Sequence, residues 1–400
     1  MNRVIPPLEA ITWFCVPLFP SFITLTAVSV PGVSLIPSGL AFSLLGIMAA
    51  FALLGIVALL MPPRQAPPTL LPLIGWLCAA LLSAALGFNP RAGLLFIAIY
   101  GLGVVWHLAI VRFYREPWMS AATFWPFLAS GLLASAAAIA MVVWRWPAGQ
   151  YAIGHGRSIG TFILPGELAG YLIVYLPIAF GVALATRFAA LRALAWCGCA
   201  LGGVAFLMTF SRAGWMGLAA AVAFYIFATR ERGQTRYAIL AVLVGIAAVL
   251  LVFNAHHNPS ENYTRLSIWQ AAIDIVERFP LTGVGPFDFA SAYALVRLPD
   301  GDATAFHAHS FLLTIFAEMG IVGVLAVLWL GWSFACALRD RLAAASPLHK
   351  QLALAVVAGL VGTLVQGLID TVSVVIFGLW LPTMALALAM ARDGLGEDPG

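Results

Sequence analysis

The run AFHAHSFLLTIFAEMGIVG, residues 305–323, changes character in its middle. Up to Ser310 it carries loop-like polarity, with two of the chain's seven histidines at His307 and His309. From there it is apolar and stays so to 337, a stretch of about 28 residues at 1.5 Å each, long enough to cross a bilayer as a helix. Ser310 is a plausible N-cap for that helix, because its hydroxyl can accept from a free first-turn N–H. Read this way, the segment is a polar loop feeding a membrane span, with a histidine at the mouth.

The same reading repeats outward along the chain. Hydrophobic residues make up 62% of the sequence and charged residues 9%, against about 25% charged in soluble domains. Apolar runs fall near 8–29, 37–61, 69–87, 92–111, 121–144, 165–186, 189–208, 213–229, 237–254, 310–337, 351–368 and 372–391, separated by Pro/Gly clusters such as MPPRQAPP. The expectation is an all-α polytopic membrane protein of about twelve transmembrane helices, one integral domain over 1–400. The first run is followed by many like it, so it reads as a span and not as a cleaved signal. The five cysteines all fall inside apolar runs with no CxxC spacing, and read as small core residues.

An even number of spans puts both termini on one side, and positive charge selects the side. With the N-terminus in the cytoplasm, thirteen of the 20 basic residues lie inside and seven outside. The outer set includes Arg157, Arg212 and Arg265, from three different connections on one membrane face. Residues 255–309 form the one long polar connection, between spans nine and ten. Within it NYTRLSIWQAAIDIVERFP places Ile268, Trp269, Ala272 and Ile275 at helical spacing, as an amphipathic helix on the external surface would. PLTGVGPFDF follows as a turn-rich return, and its glycines are not a nucleotide fingerprint.

Several side chains on that face can carry chemistry. An arginine fork matches phosphate oxygens, so the three arginines make either a diphosphate cradle or three separate headgroup contacts. His309 is either a general base or an exposed loop histidine. His307 reads as a loop residue, with a metal option through Asp300 and Asp302 of the turn PDGD. Glu318 lies nine residues beyond His309, about 13 Å along a helix, so it reads as a polar anchor or an outer contact of the site. Ser211, Ser310 and Asp370, the last in the turn between spans eleven and twelve, can reach the same face. A secondary transporter of small anions is the reading from another class, although its polar groups would sit at mid-membrane.

Four stretches, in this order, resemble the O-antigen ligase/polymerase superfamily. They are RSIGTF with LAGYL from Arg157, FSRAGW around Arg212, TRLSIWQAAIDIVERFPLTGVGPFDF from Thr264, and HAHSFLLTIFAEMGIVG. The last carries the family hallmark of a His followed by Ser or Asn, an apolar stretch with an acid, and GxxG, here His309, Ser310, Glu318, Gly320 and Gly323. The similarity spans roughly 150–335. Leu164-Pro165-Gly166-Glu167 departs from the Asn-Pro-Asn-like stretch of many members.

The resemblance implies a GT-C-type fold in the bacterial inner membrane with its site facing the periplasm. It implies an undecaprenyl-diphosphate-linked glycan as donor, Arg157, Arg212 and Arg265 on the diphosphate, and His309 as the base. No metal, cofactor or nucleic acid is expected. An O-antigen ligase would use lipid A–core oligosaccharide as acceptor; a polymerase would use another lipid-linked repeat, and a protein O-oligosaccharyltransferase a serine or threonine. The single long loop, and an end only a few residues past span twelve, favour the ligase.

Overall fold

A computed structural model describes residues 66–113, 117–146, 148–162, 164–229, 259–299, 301–303, 305–344 and 347–370, with isolated positions elsewhere. All regular structure among them is helical. The helices are α1 (Leu70–Leu86), α2 (Pro90–Phe113), α3 (Pro117–Trp144), α4 (Ala148–Ile153), α5 (Pro165–Ala185), α6 (Ala189–Leu207), α7 (Arg212–Thr229), α8 (Pro259–Arg278), α9 (Phe289–Val296), α10 (Phe311–Ala344) and α11 (Pro347–Gly367). Seven stretches, in α2, α3, α5, α6, α7, α10 and α11, are long and apolar enough to cross a membrane, and α1 is a shorter apolar helix. They coincide with eight of the runs read from the sequence. The runs 8–29, 37–61, 237–254 and 372–391 lie almost wholly outside the described residues.

The centre of the bundle is α5, with Leu168, Tyr171, Leu172, Tyr175 and Ile178 fully buried. It packs against α6, α7 and α11, while α3 covers α6. Tyr175 donates from its hydroxyl to the Leu128 carbonyl at 3.0 Å, which gives a buried phenol a partner and ties α5 to α3. Where α7 meets α11, glycine lets the backbones approach. A Cβ on Gly217 would lie 2.6 Å from the Gly362 carbonyl oxygen, and one on Gly362 2.7 Å from the Gly217 carbonyl oxygen. Lipid offers little hydrophobic drive between helices, so such small-residue contacts do much of the holding. The outer surface stays apolar, with Trp332 72% and Leu328 61% exposed.

That surface explains one correction. Cys78 and Cys197 are exposed and so are not core residues, while Cys336 is half-buried and Cys199, also half-buried, packs against the main core. An apolar run cannot tell a core position from a lipid-facing one, since both surroundings suit a thiol.

α10 is broken at Gly320, whose φ of 61° and ψ of −161° are open to glycine alone. In an unbroken helix the N–H groups of Ile321 and Val322 would donate to the carbonyls of Ala317 and Glu318. Here the segment 280–285 takes both sides of the gap. Ile321 donates to Pro280 (2.9 Å) and Val322 to Leu281 (3.3 Å), while Ala317 accepts from Val284 (3.0 Å) and Glu318 from Gly285 (2.9 Å). The Ser83 hydroxyl adds a 2.7 Å bond to the Glu318 carbonyl. All four of these backbone groups are satisfied, as irregular backbone beside a membrane span requires. PLTGVG is therefore more than a turn: it is the inserted piece that mends the helix. A Cβ on Gly283 would collide with the Glu318 carbonyl, and one on Gly320 with that of Leu281.

The insertion fastens α8 and α9 over one end of the bundle. α8 buries Ile268, Ala271, Ala272 and Ile275 against Val284, Phe289, Tyr293, Ala308 and Ala317, with Trp269 only half-buried.

Candidate functional site

The turns that carry the motif residues gather at one end of the bundle. Gln366, at the end of α11, donates from its amide to the Gly166 carbonyl at the start of α5, 3.1 Å away. Ser158 N–H donates to the Met208 carbonyl at 2.9 Å, joining the connection of Arg157 to the turn before Arg212. Ser211 closes the start of α7, its hydroxyl accepting from Gly214 N–H at 3.2 Å. Pro165 opens α5, where its fixed φ suits a first helical position, and Glu167 sits in that first turn.

Backbone strain recurs here. His155 and Gly156 precede Arg157 with φ of 50° and 77°, Phe210 lies two residues before Arg212 with φ of 47°, and His309 itself has φ of 46°. Left-handed non-glycine residues cost about 1–3 kcal/mol each and persist where the surroundings over-determine them, often at working sites.

Around His309 those surroundings are explicit. Its Nδ1 lies 3.3 Å from Oδ1 of Asp370, which is 61 residues away in sequence. The other carboxylate oxygen faces Arg265 at 3.6 Å. Arg265 also donates to the Ile369 carbonyl at 3.1 Å, clamping the chain just after α11. Burial by itself would raise the Asp370 pKa, but the His309 hydrogen bond and the Arg265 charge more than offset it, so it lies below the ordinary carboxylate value. Asp370 is thus an anion at neutral pH, and an anion at Nδ1 selects the tautomer with the proton there. Nε2 of His309 is left with its lone pair. The imidazole is 29% exposed, enough to meet a substrate.

His307 is placed otherwise. Its Nδ1 accepts the His309 backbone N–H at 3.0 Å, and its ring packs edge-on against those of Phe306 and His309, each with centroids 4.4 Å apart. Burial, and next the neighbouring His309, lower its pKa to about 3, so it is neutral. Ser310 occupies the N-cap position of α10, its carbonyl accepting from Thr314 N–H at 2.8 Å. Asp300 lies outside the described residues, and among those described no group of three His, Cys, Asp or Glu side chains is placed to hold a metal ion.

Glu318 belongs to the mended helix. Its Oε1 accepts from Phe289 N–H at 3.4 Å, tying the mended helix to the start of α9. The neighbouring Asp288 accepts from Asn89 N–H at 2.8 Å, and burial raises its pKa to about 6.

Sequence reasoning named Asp370 only as a residue able to reach the face, and gave His307 no part in the arrangement. The proximity of Asp370 has no local signature. The one hint at His307 was its spacing, two residues from a histidine at a helix mouth.

Below the site lies an apolar cavity of about 820 Å³. Phe311, Thr314 and Gly367 line it beside His309 and Asp370, Trp76 and Phe96 line its side, and Arg339 and Lys350 line its far end.

These features define a class: a many-helix membrane protein in which a histidine and a carboxylate on turns meet an arginine of α8 at one bundle end, above an apolar chamber. Residues 197–328 match the family model described as O-antigen ligase, a match that supports the resemblance to the O-antigen ligase/polymerase superfamily. The matched residues include Arg212, Arg265, His309 and Glu318; Arg157 and Asp370 fall outside them. No curated protein matches the chain.

Proposed function

We propose that the protein is a metal-independent, inverting glycosyltransferase of the O-antigen ligase type. It moves a glycan from an undecaprenyl-diphosphate-linked donor to a sugar hydroxyl of lipid A–core oligosaccharide. The observation that carries this reading is the Nδ1 contact of His309 with Asp370, which leaves Nε2 as a positioned base.

In the reaction, the acceptor hydroxyl gives its proton to His309 Nε2 as its oxygen bonds to the anomeric carbon. The bond from that carbon to the diphosphate breaks, and undecaprenyl diphosphate leaves with the electron pair. Asp370 stabilises the imidazolium that forms. Arg157 and Arg212 meet the charge growing on the diphosphate, a preorganised electrostatic role. Arg265 has donors left over from its bonds to Asp370 and Ile369, since a guanidinium has five N–H groups, and it serves both sides of the reaction. Ser211 and Ser310 act by closing the helix starts that present Arg212 and His309. The apolar cavity beneath suits the isoprenoid chain of the donor.

The architecture is of the GT-C type in this reading, a single membrane domain in the bacterial inner membrane. Its termini are cytoplasmic, and the segment 255–309 covers a periplasmic site.

The test is transfer in vitro with purified protein, undecaprenyl-diphosphate glycan and lipid A–core. Glycan on the core is the expected product. Lengthened lipid-linked glycan would make the protein a polymerase, and glycan on a serine or threonine of an added protein acceptor would make it an oligosaccharyltransferase. Absence of all three products, with anion uptake into vesicles, would replace the enzyme by a transporter. His309→Ala should abolish transfer while donor binding survives; near-normal transfer would remove it as the base.

A further inference from the structure

The HAHS turn is pinned at more points than a loop requires. His309 is held at its side chain by Asp370 and at its backbone by His307, whose Nδ1 accepts the His309 N–H at 3.0 Å. Ala308 between them is fully buried, and its N–H donates to the Thr314 hydroxyl at 3.2 Å, a bond to the first turn of α10. His307 is 7% exposed and wedged between the rings of Phe306 and His309. The φ of 46° at His309 needs such support, because a side chain there crowds its own backbone.

From this geometry we propose that His307 is a positioning residue of the site. Its imidazole accepts the His309 amide proton and so holds the left-handed turn that presents His309 to Asp370 and to the acceptor hydroxyl. The bond requires a bare Nδ1, which puts the His307 proton on Nε2. The two histidines therefore have opposite tautomers and different work: His309 with its proton on Nδ1 and Nε2 bare, His307 the reverse. The inference rests on the reading of His309 as the base.

The test compares two variants. His307→Asn keeps an acceptor near the place of Nδ1, and His307→Phe keeps ring volume without one. The Phe variant is expected to lose about ten- to a hundredfold in kcat, the cost of a reacting group misplaced by about an ångström, with the donor KM within about twofold. The Asn variant is expected to stay within about threefold of the parent. A Phe variant within threefold of the parent would overturn the proposal. So would equal losses in both variants, or a loss seen only in KM. If the Phe protein does not fold, His307→Met, with similar bulk and no comparable acceptor, takes its place under the same criteria. Failure of this inference is separable from failure of the reaction. An active His309→Ala protein would sink the base itself, whereas inactive His309→Ala beside active His307→Phe would sink only the positioning role.

Discussion

Replacing Asp370 by Asn keeps the shape of the side chain and removes the charge that faces His309. At the 3.3 Å separation, and with an effective dielectric near 20, a carboxylate stabilises a forming imidazolium by about 5 kcal/mol. The side chains are 29% and 16% exposed, so solvent screening cuts this, and about 3–4 kcal/mol is a fair share. Each 1.36 kcal/mol is tenfold in rate, so kcat should fall about 10²–10³-fold. An Asn amide can also donate to Nδ1, which would favour the wrong tautomer and push in the same direction. The assay is the initial rate of glycan transfer to lipid A–core at varied donor concentration, with thermal melting to confirm the fold. If Asp370 acts on His309, the loss appears in kcat and the donor KM moves by less than about threefold. If its work is only to restrain Arg265 beside the diphosphate, the loss appears in KM instead. An Asn variant that keeps more than about a third of the parental kcat would refute the reasoning.

Other perturbations read other parts of the structure. Gly320→Ala puts a methyl into the Leu281 carbonyl at a left-handed φ, and should destabilise by 3 kcal/mol or about that, seen as a drop in melting temperature in detergent. Arg212→Lys keeps the charge but loses the planar fork, and should lower kcat/KM about tenfold or more with little change in melting. Asp288 has its pKa raised by burial to about 6, so the folded state holds the proton more tightly than the unfolded chain. Its contribution therefore turns unfavourable as pH rises from about 4 to 6 and stays so above, by about 3 kcal/mol at most. Asp288→Asn should accordingly raise the melting temperature at pH 8 and make no difference near pH 4. Transfer should survive EDTA, and collapse with recovery on added zinc or magnesium would revive the metal reading of Asp300, Asp302 and His307.

Apolar run length and helix-breaking residues are local properties, and among the described residues they were enough to place the apolar helices. Eight runs fall on helices with boundaries mostly within a few residues, because a span must satisfy its backbone within itself and so needs no knowledge of its neighbours. The candidate chemistry was legible for a related reason: a histidine at a helix mouth, and arginines in short turns, break an apolar text wherever they stand. What the text could not carry was pairing. Asp370 meets His309 only because α11 packs on α5 and ends beside the loop before α10. His307 looked like half of a metal pair or a filler until its Nδ1 was found on a backbone amide. PLTGVG passes as an ordinary turn in sequence, yet it replaces missing helix bonds in a segment almost forty residues away. Sequence alone determined the helices and the kinds of side chain at one face; tertiary structure decided which of them touch, because hydrogen bonds and charge pairs act over a few ångströms and nothing local records what folding brings that close.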